Sequence, residues 1–174
     1  MDHLSVLKGK RILVVDDEPD ILETITDLLD TCIVETAQQY DTADKCLRKG
    51  RYDAVILDIM GVDGYKLLRV ANERGIPAVM LTAHALSPTY LVKSLKEGAY
   101  AYLPKDKMVD IPDYLADLIG SKQKGIKRSG NWFEKLKPFF DEKFGPDWRE
   151  KDKEFWDDFD EKFVVRKDEL ERML

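Results

Sequence analysis

Five short runs of apolar, β-favouring residues punctuate the first two-thirds of the chain, at residues 12–15, 33–36, 54–57, 78–81 and 99–103. Segments whose apolar residues recur at helical spacing separate them. Ile21, Leu22, Ile25, Leu28 and Leu29 form one such stripe, and Ala43, Cys46 and Leu47 a second. Tyr65, Leu67, Leu68 and Ala71 form a third, and Leu91, Val92 and Leu95 a fourth. After the fifth run come Tyr114, Leu115, Leu118 and Ile119. Strand and helix thus alternate five times. Near-continuous apolar strands are buried on both faces, so the pattern predicts an α/β fold, a five-stranded doubly wound parallel sheet with helices on both sides.

Beyond residue 120 the pattern changes. Residues 121–130 are polar and glycine-containing and hold 4 Lys+Arg with no Asp or Glu, which predicts a basic linker or a frayed helix end. Residues 131–174 carry all three tryptophans and 10 of the 17 aromatic residues. Trp132, Leu136, Phe140 and Phe144 repeat every fourth position, as do Phe155, Phe159 and Phe163, with Gly145-Pro146 between the sets. An aromatic-rich helical tail folded as a hairpin is expected, with Pro138 kinking or restarting its first arm. The organisation read from the chain is therefore a domain over residues 1–120, a linker over 121–130 and a tail over 131–174.

Charge narrows the possible partners. The net charge of −6 is spread over both regions, with 14 Lys+Arg against 20 Asp+Glu in residues 1–120 and 10 against 14 in residues 131–174. Neither offers the basic face with which a domain neutralises nucleic-acid phosphates, so no nucleic-acid partner is expected. Cys32 and Cys46 have neither CxxC spacing nor a neighbouring histidine cluster, which argues against zinc and against a disulfide framework. No apolar run approaches the roughly 20 residues a membrane span needs, and Met1-Asp2-His3 lacks the start of a signal peptide; no membrane role and a cytoplasmic location are expected.

In doubly wound sheets function gathers at the carboxyl ends of the strands. Here the first strand ends in Asp16-Asp17, the third in Asp58 and the fourth in Thr82, while Lys105 follows the fifth. Three carboxylates, a hydroxyl and an ammonium converge on one edge. Crowded carboxylates need a cation or raised pKa values, and an all-oxygen ligand set suits Mg2+, which would offset the charge of an incoming phosphoryl group.

The segments Ile12-Leu13-Val14-Val15-Asp16-Asp17-Glu18-Pro19, Val55-Ile56-Leu57-Asp58, Met80-Leu81-Thr82-Ala83 and Tyr102-Leu103-Pro104-Lys105 resemble the receiver domains of bacterial two-component response regulators, over about residues 10–120. The resemblance implies that Asp58 accepts a phosphoryl group from a sensor histidine kinase or phosphotransfer protein. It implies that Asp16, Asp17, Asp58 and the backbone carbonyl of Met60 hold Mg2+, and that Lys105 pairs with a phosphate oxygen. Thr82 would donate its hydroxyl to the phosphoryl group, and Tyr102 would swing inward as the loop after the fourth strand closes.

Two departures stand out. The segment Asp58-Ile59-Met60-Gly61-Val62-Asp63-Gly64 is about two residues shorter than usual in the family and lacks its proline. Pro104 precedes Lys105 and Asp106 follows it, where the family usually has a lysine followed by a cis proline. A cis bond before Asp106 would cost about 2.5–4 kcal/mol, so a trans bond and a reshaped loop are expected.

The chain lacks the motifs of a separate output enzyme. Three functions compete: a phosphorylatable switch, a pseudo-receiver serving only as an interaction scaffold, and a flavodoxin-like cofactor protein. The last lacks a phosphate-cradling loop, since Asp16-Asp17-Glu18 would repel a phosphate unless a metal intervened. For the tail two readings are open. Its aromatics pack back on the first domain, or they dock on an unknown downstream protein or a second copy of the chain.

Overall fold

A computed structural model describes residues 2–174. Five parallel strands form one sheet in the order β2-β1-β3-β4-β5: β1 (Arg11–Val15), β2 (Ile33–Ala37), β3 (Ala54–Asp58), β4 (Ala78–Thr82) and β5 (Ala101–Pro104). Every residue of β3, β4 and β5 is buried, as the continuous apolar runs require of strands covered on both faces. The edge strand β2 buries only Ala37 fully, which explains why its run is the weakest of the five.

Between the strands lie α1 (Pro19–Leu28), α2 (Tyr40–Lys49), α3 (Gly64–Glu73) and α4 (Pro88–Lys96), and α5 (Ile111–Gln123) follows β5. Local chemistry fixes several starts. Pro19, Pro88 and Pro112 sit in the first turns of α1, α4 and α5, where a missing N–H costs nothing. The Ser87 hydroxyl caps α4 by accepting from Tyr90 N at 3.2 Å. Strand order reverses between β1 and β3, so the ends of these two neighbours flank the crevice where such sheets place their chemistry.

The tail forms α6 (Asn131–Phe144), α7 (Lys153–Lys162) and α8 (Lys167–Met173). Its two aromatic arms are α6 and α7, joined through Gly145 at φ +89°, a turn that favours glycine. Pro138 lies inside α6 and does not restart it. A mid-helix proline forfeits one backbone bond, but Phe133, Leu136 and Phe140 on the same helix are fully buried and hold both sides of it in place.

Residues 121–130 begin as the end of α5, which runs to Gln123, and then pair with the tail. Ser129 pairs with Val164 as a parallel bridge, Gly130 N–H donates to the Val164 carbonyl at 2.7 Å, and Val164 N–H donates to Arg128 at 2.9 Å. Helix α8 and a short 3-10 helix at His3–Leu7 were not foreseen; the latter packs on α5.

Of the two readings of the tail, its aromatics pack inward. Trp132, Phe133, Phe140, Trp148, Trp156 and Phe159 are all buried and continuous with the core beneath the sheet. Phe133 lies 5.0 Å from Trp156 and 5.1 Å from Phe159 between ring centroids. Beneath them a polar knot ties tail to sheet domain. The Asp117 carboxylate of α5 accepts from Tyr100 Oη at 2.7 Å, Asn131 Nδ2 at 3.0 Å and Arg166 at 3.3 Å. Arg166 also donates to Ser121 Oγ at 2.5 Å, and its backbone N–H donates to Asn131 Oδ1 at 2.9 Å.

Candidate functional site

The end of β1 delivers Asp16 to a fully buried position, β3 delivers Asp58, and β4 delivers Thr82. Lys105 stands just past β5 at the start of a 3-10 helix, Lys105–Asp110, and no peptide bond among the described residues is cis. The reshaped loop expected after Pro104 is this helix. It turns the Lys105 side chain inward, where its Nζ lies 2.9 Å from Asp16 Oδ2, 3.3 Å from Glu18 Oε1 and 3.7 Å from Asp58 Oδ1.

The electrostatics follow from burial. Burial first, and then the neighbouring Asp16 carboxylate, push the Asp58 carboxyl up to about 7. Burial likewise raises Asp16, against the opposing pull of the Glu18 N–H and of Lys105. Burial alone would lower Lys105, but the carboxylates of Asp16, Asp58 and Glu18 outweigh it and hold the ammonium charged.

Glu18 is the residue that sequence reasoning passed over. It occupies the N-cap of α1 without capping it, and its carboxylate turns to Lys105 instead. Its place directly after Asp16-Asp17 was the available signal. The exposed Asp17 carboxylate abuts the loop that follows β3, since a Cβ on Gly61 would meet Asp17 Oδ2 at 2.6 Å. Met60, next in that loop, has an exposed side chain.

The short loop closes because of its glycines. Gly61 has φ +86°, and Gly64 returns so tightly that a Cβ there would sit 2.2 Å from the Asp58 carbonyl oxygen. Gly64→Ala must therefore push the backbone off Asp58, with an expected loss of about 1–3 kcal/mol by analogy with overpacked cores. Urea unfolding checks this, and an unchanged midpoint would refute it.

Thr82 Oγ1 accepts the backbone N–H of Ala85 at 2.9 Å, which leaves its own proton free for another acceptor. Tyr102 is wholly buried, and its hydroxyl donates to the Ala85 carbonyl at 2.5 Å. The ring of Tyr102 lies inward in this structure.

The donor set can be tested for a cation. Asp16, Asp17 and Glu18 each offer an oxygen within 4.8 Å of the others. Buried Asp16 Oδ2 makes no well-formed hydrogen bond among the described residues, although Lys105 is in ionic contact. An all-oxygen, under-neutralised cluster of this kind fits a hard divalent ion such as Mg2+.

The family model for the response regulator receiver domain matches residues 12–115. The chain belongs to the response regulator receiver domain family. This receiver is 38% identical over 109 residues to the two-component response regulator ARR10 of Arabidopsis thaliana, covering 59% of this chain and 20% of that protein. It is 35% identical over 131 residues to ORR24 of Oryza sativa, covering 71% and 21% respectively. The chain thus spans about a fifth of the length of the curated relatives it matches. Among solved structures it resembles a CheY-like receiver domain protein from Methanospirillum hungatei, with a TM-score of 0.62, 26% identity, and coverage of 68% of this chain and 99% of that one. A receiver domain protein from Clostridium thermocellum gives a TM-score of 0.58 at 28% identity, covering 66% and 97%. The receiver's tail, residues 131–174, lies beyond the family match.

Proposed function

We propose that this receiver is a phosphorylatable switch of a two-component phosphorelay, taking a phosphoryl group on Asp58 from a sensor histidine kinase or phosphotransfer protein in the cytoplasm. The observation that carries the reading is the buried contact of Lys105 with Asp58 and Asp16 at the switch point of the sheet. An Asp58 carboxylate oxygen attacks phosphorus, the bond from phosphorus to the donor histidine breaks, and a mixed anhydride remains on Asp58.

Each neighbouring group has a task. Lys105 neutralises a phosphoryl oxygen in line with its approach to Asp58, and the free Thr82 proton is donated to another. Asp16, Asp17, Asp58 and the Met60 carbonyl would hold Mg2+, with the Glu18 carboxylate at its margin. When bound, Mg2+ supplies charge neutralisation for the transferring group. Positioning and charge compensation are what phosphoryl transfer asks of a protein. Signalling then proceeds through protein contacts. The complete set of Asp16, Asp17, Asp58, Thr82 and Lys105 favours this reading over a scaffold without chemistry.

The test is intact mass after treatment with acetyl phosphate and Mg2+. Wild type gains one phosphoryl group and Asp58→Asn gains none. An unchanged mass in folded wild type, beside a working control receiver, would leave only the scaffold.

A pH dependence accompanies the site. Asp58 and Asp16 are both raised in the folded protein relative to the unfolded chain. Their contribution to stability is therefore present below the ordinary carboxylate range and is lost as pH rises toward about 7, the folded value of Asp58. Without metal the thermal midpoint should fall as pH rises from 5 to 8. Mg2+ should raise the midpoint more at pH 8 than at pH 5. Equal Mg2+ shifts at both values would contradict the assignment.

A further inference from the structure

Tail and reacting groups are linked by a short chain of contacts. The Thr82 hydroxyl oxygen accepts from Ala85 N–H at 2.9 Å, the Ala85 carbonyl accepts from Tyr102 Oη at 2.5 Å, and Tyr102 Oη accepts from Ser87 N–H at 3.1 Å. Tyr102 thus pins both arms of the loop between β4 and α4. Its ring in turn meets Phe140 of α6, with centroids 6.2 Å apart and planes inclined by 41°.

Phe140 is itself immobilised. Phe144 lies 5.5 Å from it, Trp148 6.0 Å and Phe133 6.1 Å, and none of its surface reaches solvent. Beside it, Lys107 from the 3-10 helix that begins at Lys105 rests 5.4 Å from the ring of Phe139. Helix α6 therefore touches the 3-10 helix that begins at Lys105 directly, and reaches the loop after Thr82 through Tyr102.

We propose that Phe140 is a positioning residue for phosphorylation of Asp58, an inference that rests on the phosphoacceptor reading above. By closing over the inward ring of Tyr102, it holds the Ala85 loop in the arrangement that leaves the Thr82 proton available to a phosphoryl oxygen. A contact that favours the arrangement a ligand requires must strengthen binding of that ligand, and the ligand must strengthen the contact by the same factor. The sign is therefore fixed: a docked tail promotes phosphorylation, and phosphorylation tightens the tail. Phe140 lies 25 residues beyond the family match, which ends at residue 115, so the family pattern alone would not point to it.

The experiment uses the full chain and the rate of phosphoryl mass gain from acetyl phosphate at fixed Mg2+. Phe140→Leu keeps an apolar filler but loses the ring contact, and is expected to slow the gain about 5- to 10-fold, short of the cost of deleting a donor outright because Thr82 is displaced rather than removed. Tyr102→Phe, which loses the bond to the Ala85 carbonyl, should slow it similarly. The double variant should be no slower than Tyr102→Phe alone, because both act through one link. Phe155→Leu loosens the tail's aromatic cluster away from Tyr102; it should lower the unfolding midpoint and leave the rate unchanged.

Should Phe140→Leu fail to fold, Phe140→Met carries the same expectation. Slower hydrogen exchange of α6 amides after phosphorylation supplies the reciprocal sign. A Phe140 variant that folds and phosphorylates at or above the wild-type rate overturns the inference, as do effects that simply multiply in the double variant. No mass gain in wild type overturns the phosphoacceptor reading and this inference together.

Discussion

Lys105→Met should slow phosphorylation of Asp58 by acetyl phosphate about 100- to 1000-fold, the cost typical of removing one charge-stabilising donor from a preorganised site. Methionine keeps an unbranched apolar stem, so the change falls mainly on the ammonium. That ammonium sits among the carboxylates of Asp16, Glu18 and Asp58, buried where water screens little. Without it, two effects combine. The negative charge of the transferring group loses its partner, and Asp58, already raised to about 7 by burial and Asp16, is pushed further from its reactive ionised form. Raising Mg2+ should recover part of the rate, and raising pH should recover another part. Initial rates by intact mass, with circular dichroism to confirm the fold, decide the matter. A slowing below about threefold would show that Lys105 serves the fold rather than the reaction, since one donor of this kind is ordinarily worth far more.

The second large effect concerns the knot beneath the tail. Asp117→Ala should cost about 2–4 kcal/mol, because a buried carboxylate that accepts three hydrogen bonds is lost, while the Arg166 guanidinium keeps Glu169 at 2.8 Å. The carboxylate is the shared acceptor for Tyr100, Asn131 and Arg166, so three donors lose a partner at once. For a chain of this size that corresponds to a fall in Tm of roughly 10 °C. The paired change Asp117→Leu with Arg166→Leu should cost clearly less than the sum of the single changes, since both single changes break the same contact. Urea unfolding measures this, followed by tryptophan fluorescence, which reports the tail because Trp132, Trp148 and Trp156 all lie in it. Additive costs would mean that the two residues stabilise the tail separately.

The parts of this molecule that were legible in its sequence are those where one rule acts locally. Strands β3 and β4 read as apolar runs because both faces are covered at every position. The reacting residues were legible because each lies at the end of such a run, and the fold brings those ends together. Other features depend on partners far along the chain. Glu18 is 87 residues from Lys105, and its place after Asp16-Asp17 marks it as a candidate without naming its partner. Asp117 meets Arg166 from 49 residues away, and neither position carries a periodic signal. A charged residue embedded in the apolar stretch Leu115–Ile119 was the one hint that something must satisfy it. The aromatic repeat of the tail was plain, but periodicity defines a face without naming what covers it.

The bridge between Arg128, Ser129 and Val164 has a consequence for the order in which the chain becomes a protein. A ribosome delivers the amino-terminal part first, at about 5–20 residues per second. All five strands and α5 are therefore complete before Val164 and Arg166 leave the exit tunnel. During those few seconds Tyr102 and the outer side of α5 have nothing over them, and the nascent receiver presents an apolar surface suited to a chaperone. Val164 and Arg166, translated after the sheet, thus finish a surface that the sheet domain began, and interruption of the chain within α7 would yield a product prone to aggregate rather than a smaller working switch.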